Sequence, residues 1–98
     1  MKIQIQSIHF DADQKLLDYI QKRCDKLDRF FDHITDAQVY LKVEKKGEHS
    51  LKSVEIKLNV PGDKLIASEE AFGFEEAIDL ATENLKRQVT RYKEKLRA

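Results

Sequence analysis

The sequence predicts an α+β domain, β-α-β-β-β-α, in which a four-stranded sheet carries two helices packed on one face. Three observations predict it. Two long stretches repeat apolar residues at helical spacing, four shorter ones alternate apolar with polar residues, and Pro61-Gly62 and Gly73 mark places where the chain turns or restarts. A sheet with one apolar face needs a cover, and two amphipathic helices supply it.

Residues 2–8, KIQIQSI, set Ile3 and Ile5 against Lys2, Gln4 and Gln6, the alternation of a half-buried strand. His9 to Asp13 turns the chain, and Asp11 or Asp13 is suited to accept a bond from the free amides of a helical first turn. Leu16, Leu17, Ile20, Cys24, Leu27 and Phe31 then mark an amphipathic helix over residues 13–31. Its polar surface is divided by sign. Lys15, Lys22, Lys26 and Arg29 line one side, with Arg23 nearer the apolar edge, while Asp18, Asp25, Asp28 and Asp32 occupy the other. A helix braced by i, i+4 ion pairs mixes signs, so this sorting forgoes some of that support.

Next, Ala37, Val39, Leu41 and Val43 alternate with Gln38, Tyr40, Lys42 and Glu44. After a polar turn over 45–50, Val54, Ile56, Leu58 and Val60 alternate with Glu55, Lys57 and Asn59. Pro61-Gly62-Asp63 is a turn, because Pro presets φ at the first central position and Gly tolerates positive φ at the next. Lys64 to Glu69 returns as a shorter strand, and Gly73 breaks the chain before the last helix. Tyr40, Lys42, Glu44, Glu55 and Lys57 make the second face of the sheet a mixed-sign, solvated one.

The final stretch, Phe74 to Ala98, holds neither Pro nor Gly, and Phe74, Ile78, Ala81, Leu85, Val89, Tyr92 and Leu96 form one narrow apolar stripe. Its first half is acidic (Glu75, Glu76, Asp79, Glu83) and its second half basic. Helix-dipole complementation accounts for cations in a last turn, but here they extend over three turns. Arg87, Arg91 and Lys95 flank the stripe on one side, and Lys86, Lys93 and Arg97 on the other. Which of these flanks meets the cationic side of the first helix depends on helix order.

Charge is unevenly placed. The 98 residues carry 18 cations and 18 acids, yet residues 86–98 alone hold six cations against one acid. A neutral total therefore coexists with a local excess suited to a polyanion, and nucleic acid is not excluded as a partner. The single Cys24 allows no internal disulfide and fits a reducing compartment. No apolar run is long enough for a bilayer, so a cytoplasmic location is expected. His9, His33 and His49 are scattered and form no metal-ligand pattern with Cys24; His33, near the end of the first helix, suits a cap or dipole role. Glycines are too few and too dispersed to cradle phosphate. Cys24 lies on an apolar stripe and reads as a small core residue. We expect no enzyme, no cofactor and no metal.

Val39-Tyr-Leu-Lys-Val-Glu-Lys, Lys64-Leu-Ile-Ala-Ser-Glu-Glu, Ala77-Ile-Asp79 and Leu85-Lys-Arg-Gln-Val-Thr-Arg-Tyr-Lys-Glu-Lys-Leu96 occur in that order, behind KIQIQSIHFDADQKLLDYI and KLDRFFD. Together they resemble the ribosome hibernation-promoting factors, also called ribosome-associated inhibitors or sigma-54 modulation proteins, over essentially the whole chain. The resemblance implies the same β-α-β-β-β-α fold. It also implies a protein that binds the small ribosomal subunit near its decoding region, blocks messenger and transfer RNA, and silences idle ribosomes in non-growing, stressed or stationary-phase cells. It carries RNA-backbone contacts onto Arg23 and Lys26 of the first helix and Lys86, Arg87, Arg91, Lys93 and Lys95 of the last. The helical projection adds Lys22 and Arg29. Residues 1–98 are expected to be one ribosome-binding domain, the short form without a C-terminal dimerisation domain, monomeric when free and acting on no small-molecule substrate. Many members place a Tyr where this chain has Glu75; Tyr92 or Phe72 are the aromatics left for its role, Tyr92 being on the apolar stripe. Two other readings of the cations stay open: a general double-stranded RNA-binding module, and a protein-interaction module for an acidic partner.

Overall fold

The computed structural model describes residues 1–97, Lys46 by its backbone alone. The elements follow in the order β1 (Lys2–Ile8), α1 (Gln14–Phe30), β2 (Asp36–Lys46), β3 (His49–Val60), β4 (Asp63–Ala71) and α2 (Phe74–Arg97). The sheet order is β1-β2-β3-β4. β1 and β2 run parallel, with Ile3 opposite Ala37 and Ile5 opposite Val39, so the chain between them must cross over, and α1 is that crossover. β2–β3 and β3–β4 are antiparallel.

Each helix starts and stops for a local reason. Asp13, not Asp11, caps α1: its carboxylate accepts the Leu16 amide at 2.8 Å. Phe31 ends the helix, its amide returning to the Leu27 carbonyl. α2 begins directly after Gly73, whose carbonyl takes the Ala77 amide at 3.1 Å. The hairpin between β2 and β3 is tighter than the polar run 45–50 implies. Pairing continues to Lys46 and His49, leaving Gly47 and Glu48 as a two-residue turn with φ of 66° at Gly47. Gly62, at φ 76° behind Pro61, turns β3 into β4. β4 also extends beyond the expected 64–69, because Ala71 finds a partner in Lys52.

Alternation along the strands puts Ala37, Val39, Leu41, Val54, Ile56, Leu58 and Val60 beneath the helices, all buried. Ile20, Cys24 and Leu27 of α1 meet Ala77, Ile78, Ala81, Leu85 and Val89 of α2 above them. Val43 continues the alternation but is 37% exposed, since it lies past the reach of the helical cover. Edge strand β4 is partly tied down: Gln88 of α2 donates to its Ile66 carbonyl at 2.8 Å. On the outer face Lys42 pairs with Glu44 at 3.5 Å, in keeping with a solvated surface. Among the described residues, no helix is long and apolar enough to cross a membrane.

Candidate nucleic-acid interface

The helices lie side by side and point the same way. Tyr19 of α1 bonds Asp79 of α2, Arg23 bonds Thr82, and Phe30 lies under Lys86 and Lys93, so advancing along one helix advances along the other. Both C-termini therefore emerge at one end of the molecule, where their partial negative charges meet Arg29 from α1 and Lys95 and Arg97 from α2. The acidic first turn of α2, Glu75 and Glu76, is at the other end.

Helix order decides which cationic flank faces which. Lys26 and Lys86 border one groove along the seam, together with Arg23, Leu27, Thr82 and Glu83. Arg29 and Lys93 border a second cleft further along, with Arg97. The Lys86–Lys93 flank thus faces α1. At about 100° per residue, Arg87 and Arg91 turn away from the seam onto the outer surface of α2, and Lys95 continues that row toward the side where Gln88 reaches β4. Lys22, Lys26, Arg29, Lys86, Arg87, Arg91 and Lys95 are all exposed. All seven belong to the two helices that cover the sheet.

Three of the nine candidates, Arg23, Lys86 and Lys93, have partners within the chain. Arg23 keeps only 22% of its side chain exposed. Its Nε lies 3.1 Å from Asp79 Oδ1, and its guanidinium also donates to Thr82 Oγ1 at 3.0 Å and approaches Glu83 at 3.8 Å. The Tyr19 hydroxyl donates to the same Asp79 oxygen at 2.5 Å, and this bond, with burial and the carboxylate charge, raises the Tyr19 pKa. The Nε proton is buried and not aligned for a hydrogen bond, so the pairing there is ionic. Arg23 is therefore an interhelical strut. Lys93, half-buried, sits 4.7 Å above the Phe30 ring and 5.9 Å from Phe31, and approaches the Phe30 carbonyl at 3.4 Å. That role at the end of α1 was expected of His33, which instead stands edge-on to Phe31 outside the helix.

Phe30 is the residue that sequence reasoning missed. It falls seven positions after Arg23 and eleven after Tyr19, a second stripe beside the apolar one and turned toward α2. Both lysines of the α2 flank gather over its ring, Lys86 at 5.4 Å.

The profile of the family described as sigma 54 modulation protein / S30EA ribosomal protein matches residues 3–97. The chain belongs to this family. A ribosome hibernation promoting factor of Pseudomonas putida is 35% identical over 97% of this chain and 89% of its own length. Another, from Escherichia coli strain K12, is 32% identical over 99% of this chain and 98% of its own. The crystal structure of the Thermus thermophilus Protein Y N-terminal domain superposes with a TM-score of 0.82 at 29% identity, covering 94% of this chain and 99% of that one.

Tyr92 and Phe72 are the aromatics left for the role that the resemblance gives to a Tyr at the position of Glu75. Tyr92 is a core residue, edge-on to Phe31 and donating to the Pro61 carbonyl. Phe72 is 71% exposed and follows β4 at the same end of α2 as Glu75.

Proposed function

We propose that this protein is a ribosome hibernation factor. It binds the small ribosomal subunit near the decoding region through rRNA backbone contacts, blocks messenger and transfer RNA, and lowers translation in non-growing cells. The observation that carries this reading is nearly full-length kinship with proteins named ribosome hibernation promoting factor. The exposed cations on one helical layer support it independently, because phosphate recognition is mainly electrostatic and needs positive side chains on one surface. On this reading the protein works by occupancy, not chemistry, as a cytoplasmic monomer. Lys22, Lys26, Arg29, Lys86, Arg87, Arg91 and Lys95 meet the backbone directly, while Arg23 and Lys93 hold the two helices in register beneath them.

Co-sedimentation with purified small subunits tests the assignment. Arg87→Glu combined with Arg91→Glu is expected to weaken binding at least tenfold with a nearly unchanged thermal midpoint, since both side chains are exposed. Parent-like sedimentation of this folded double variant would refute the role given to these residues.

A further inference from the structure

Arg23 and Lys86 are both cations of the helix seam, but different chemistry holds them. Arg23 is fixed by carboxylates, Asp79 at 3.1 Å and Glu83 at 3.8 Å, and these cancel its charge. Lys86 is fixed by a ring. Its ammonium lies 5.4 Å from the centre of Phe30, the last residue of α1, and that of Lys93 lies 4.7 Å from the same ring. The two lysines are seven residues apart, so they stand about 10 Å from one another along α2 and close on Phe30 from positions two turns apart. Among the described residues, no carboxylate pairs with either lysine, and Glu83, three positions before Lys86, is turned to Arg23.

The difference matters to a polyanion. A carboxylate that orders a lysine also neutralises it. The face of an aromatic ring attracts an ammonium through its quadrupole and leaves the whole positive charge in place. A free lysine gives up rotamer freedom when a phosphate captures it, and one already held has less to lose. Lys93 is half-buried and also lies 3.4 Å from the Phe30 carbonyl, so it serves the end of α1. Lys86 is exposed and borders the groove that Lys26 lines from the other helix. Its charge is therefore both fixed in place and open to solvent.

We propose that Phe30 is a positioning residue for RNA binding: its ring holds Lys86 across the seam beside Lys26, ordered yet still charged, so that both helices present lysines to one stretch of phosphate backbone. Phe30 touches no RNA itself, its ring being taken up by the two lysines. The inference rests on the RNA-binding reading above and adds the residue that readies the groove.

Co-sedimentation of the full chain with purified small subunits tests it. Phe30→Leu keeps an apolar side chain at a half-buried site and removes the ring. It is expected to bind about two- to fivefold more weakly than the parent, with the parent's salt slope, because no cation is lost. Lys86→Met should instead lower that slope by about 0.7–0.9. In the Lys86→Met background, Phe30→Leu is expected to weaken binding no further, since its effect runs through that lysine. Trifluorophenylalanine at position 30 keeps the shape of the ring and weakens its negative face, so it should act in the same direction as Phe30→Leu without disturbing the packing. Parent-like binding by the fluorinated protein overturns the proposal. So does an undiminished loss from Phe30→Leu in the Lys86→Met background, which would make Phe30 a packing residue only. If the parent co-sediments and these variants behave in either of those ways, the positioning role fails alone. Failure of the parent to co-sediment refutes the hibernation reading itself.

Discussion

Arg23 and Lys26 lie three residues apart on α1, and both are cations beside an apolar stripe, yet they do different things. Lys26 is exposed, whereas Arg23 reaches across to Asp79, Thr82 and Glu83. Removing one partner of a partly buried pair leaves the other poorly solvated. Arg23→Gln is therefore expected to cost about 1–2 kcal/mol in urea unfolding, discounted because Asp79 is itself 45% exposed. A parent-like urea midpoint would show that the strut contributes nothing. Cys24 makes a second case at this scale. Burial, helped by the Asp25 charge and opposed by Arg23, pushes its thiol up to about 12 from an ordinary 9.0. The folded chain thus holds this proton more tightly than the unfolded one. The associated stability is complete below pH 9 and is lost as pH rises from there toward 12. Between pH 8 and pH 10 the parent should lose about 1 kcal/mol through this group. Cys24→Ala has no such proton, so a matching alkaline loss in that variant would contradict the account. Periodicity had already placed Cys24 in the core. It could not distinguish Arg23 from Lys26, because that difference depends on which acids the neighbouring helix presents.

At the scale of elements, turns and periods were readable because their causes are local. Pro61-Gly62 is a turn in any context that needs positive φ at its second residue, and Gly62 adopts 76°. A Cβ there would meet nothing within 4 Å, so substitution strains only the backbone. Gly62→Ala is accordingly expected to cost about 1 kcal/mol in denaturant melts. Gly73→Ser, at the start of α2, is expected to gain a few tenths of a kcal/mol by giving that helix a side-chain cap. No loss at Gly62 would mean the turn relaxes to another type. Strand ends were less legible. Lys45 and Ser50 look like loop residues, but they pair with one another once Gly47 tightens the hairpin. Ala71 belongs to β4 only because Lys52 lies opposite. Pairing is a property of two strands, and composition reports on one.

For the whole molecule, zero net charge conceals a dipolar arrangement. Parallel helices bring the basic second half of α2 beside Lys26 and Arg29 of α1 and leave the acidic first turn of α2 at the other end. A basic face of this kind should bind RNA with release of counterions. If about five phosphates are neutralised at 0.7–0.9 each, affinity for small subunits should fall a few hundredfold for a fourfold rise in salt. A flat salt profile in the same sedimentation assay would remove backbone contact as the source of affinity. The acidic end should also orient the protein as it approaches a polyanion. Arg87→Glu with Arg91→Glu is therefore expected to flatten the salt slope as well as to lower affinity.

The amino-acid order alone determined the succession of elements, the residues of each apolar stripe and the presence of a cationic excess in the last helix. All of these follow from periodicity and turn chemistry within a few residues. Only the packed chain decided that the Lys86–Lys93 flank faces α1, that Arg23 and Lys93 are tied between the helices, and that Phe30 sits beneath two lysines. Those contacts join residues about 60 positions apart, as Tyr19 and Asp79 are. They depend on the order, direction and register of two helices laid on one sheet, which no local pattern carries.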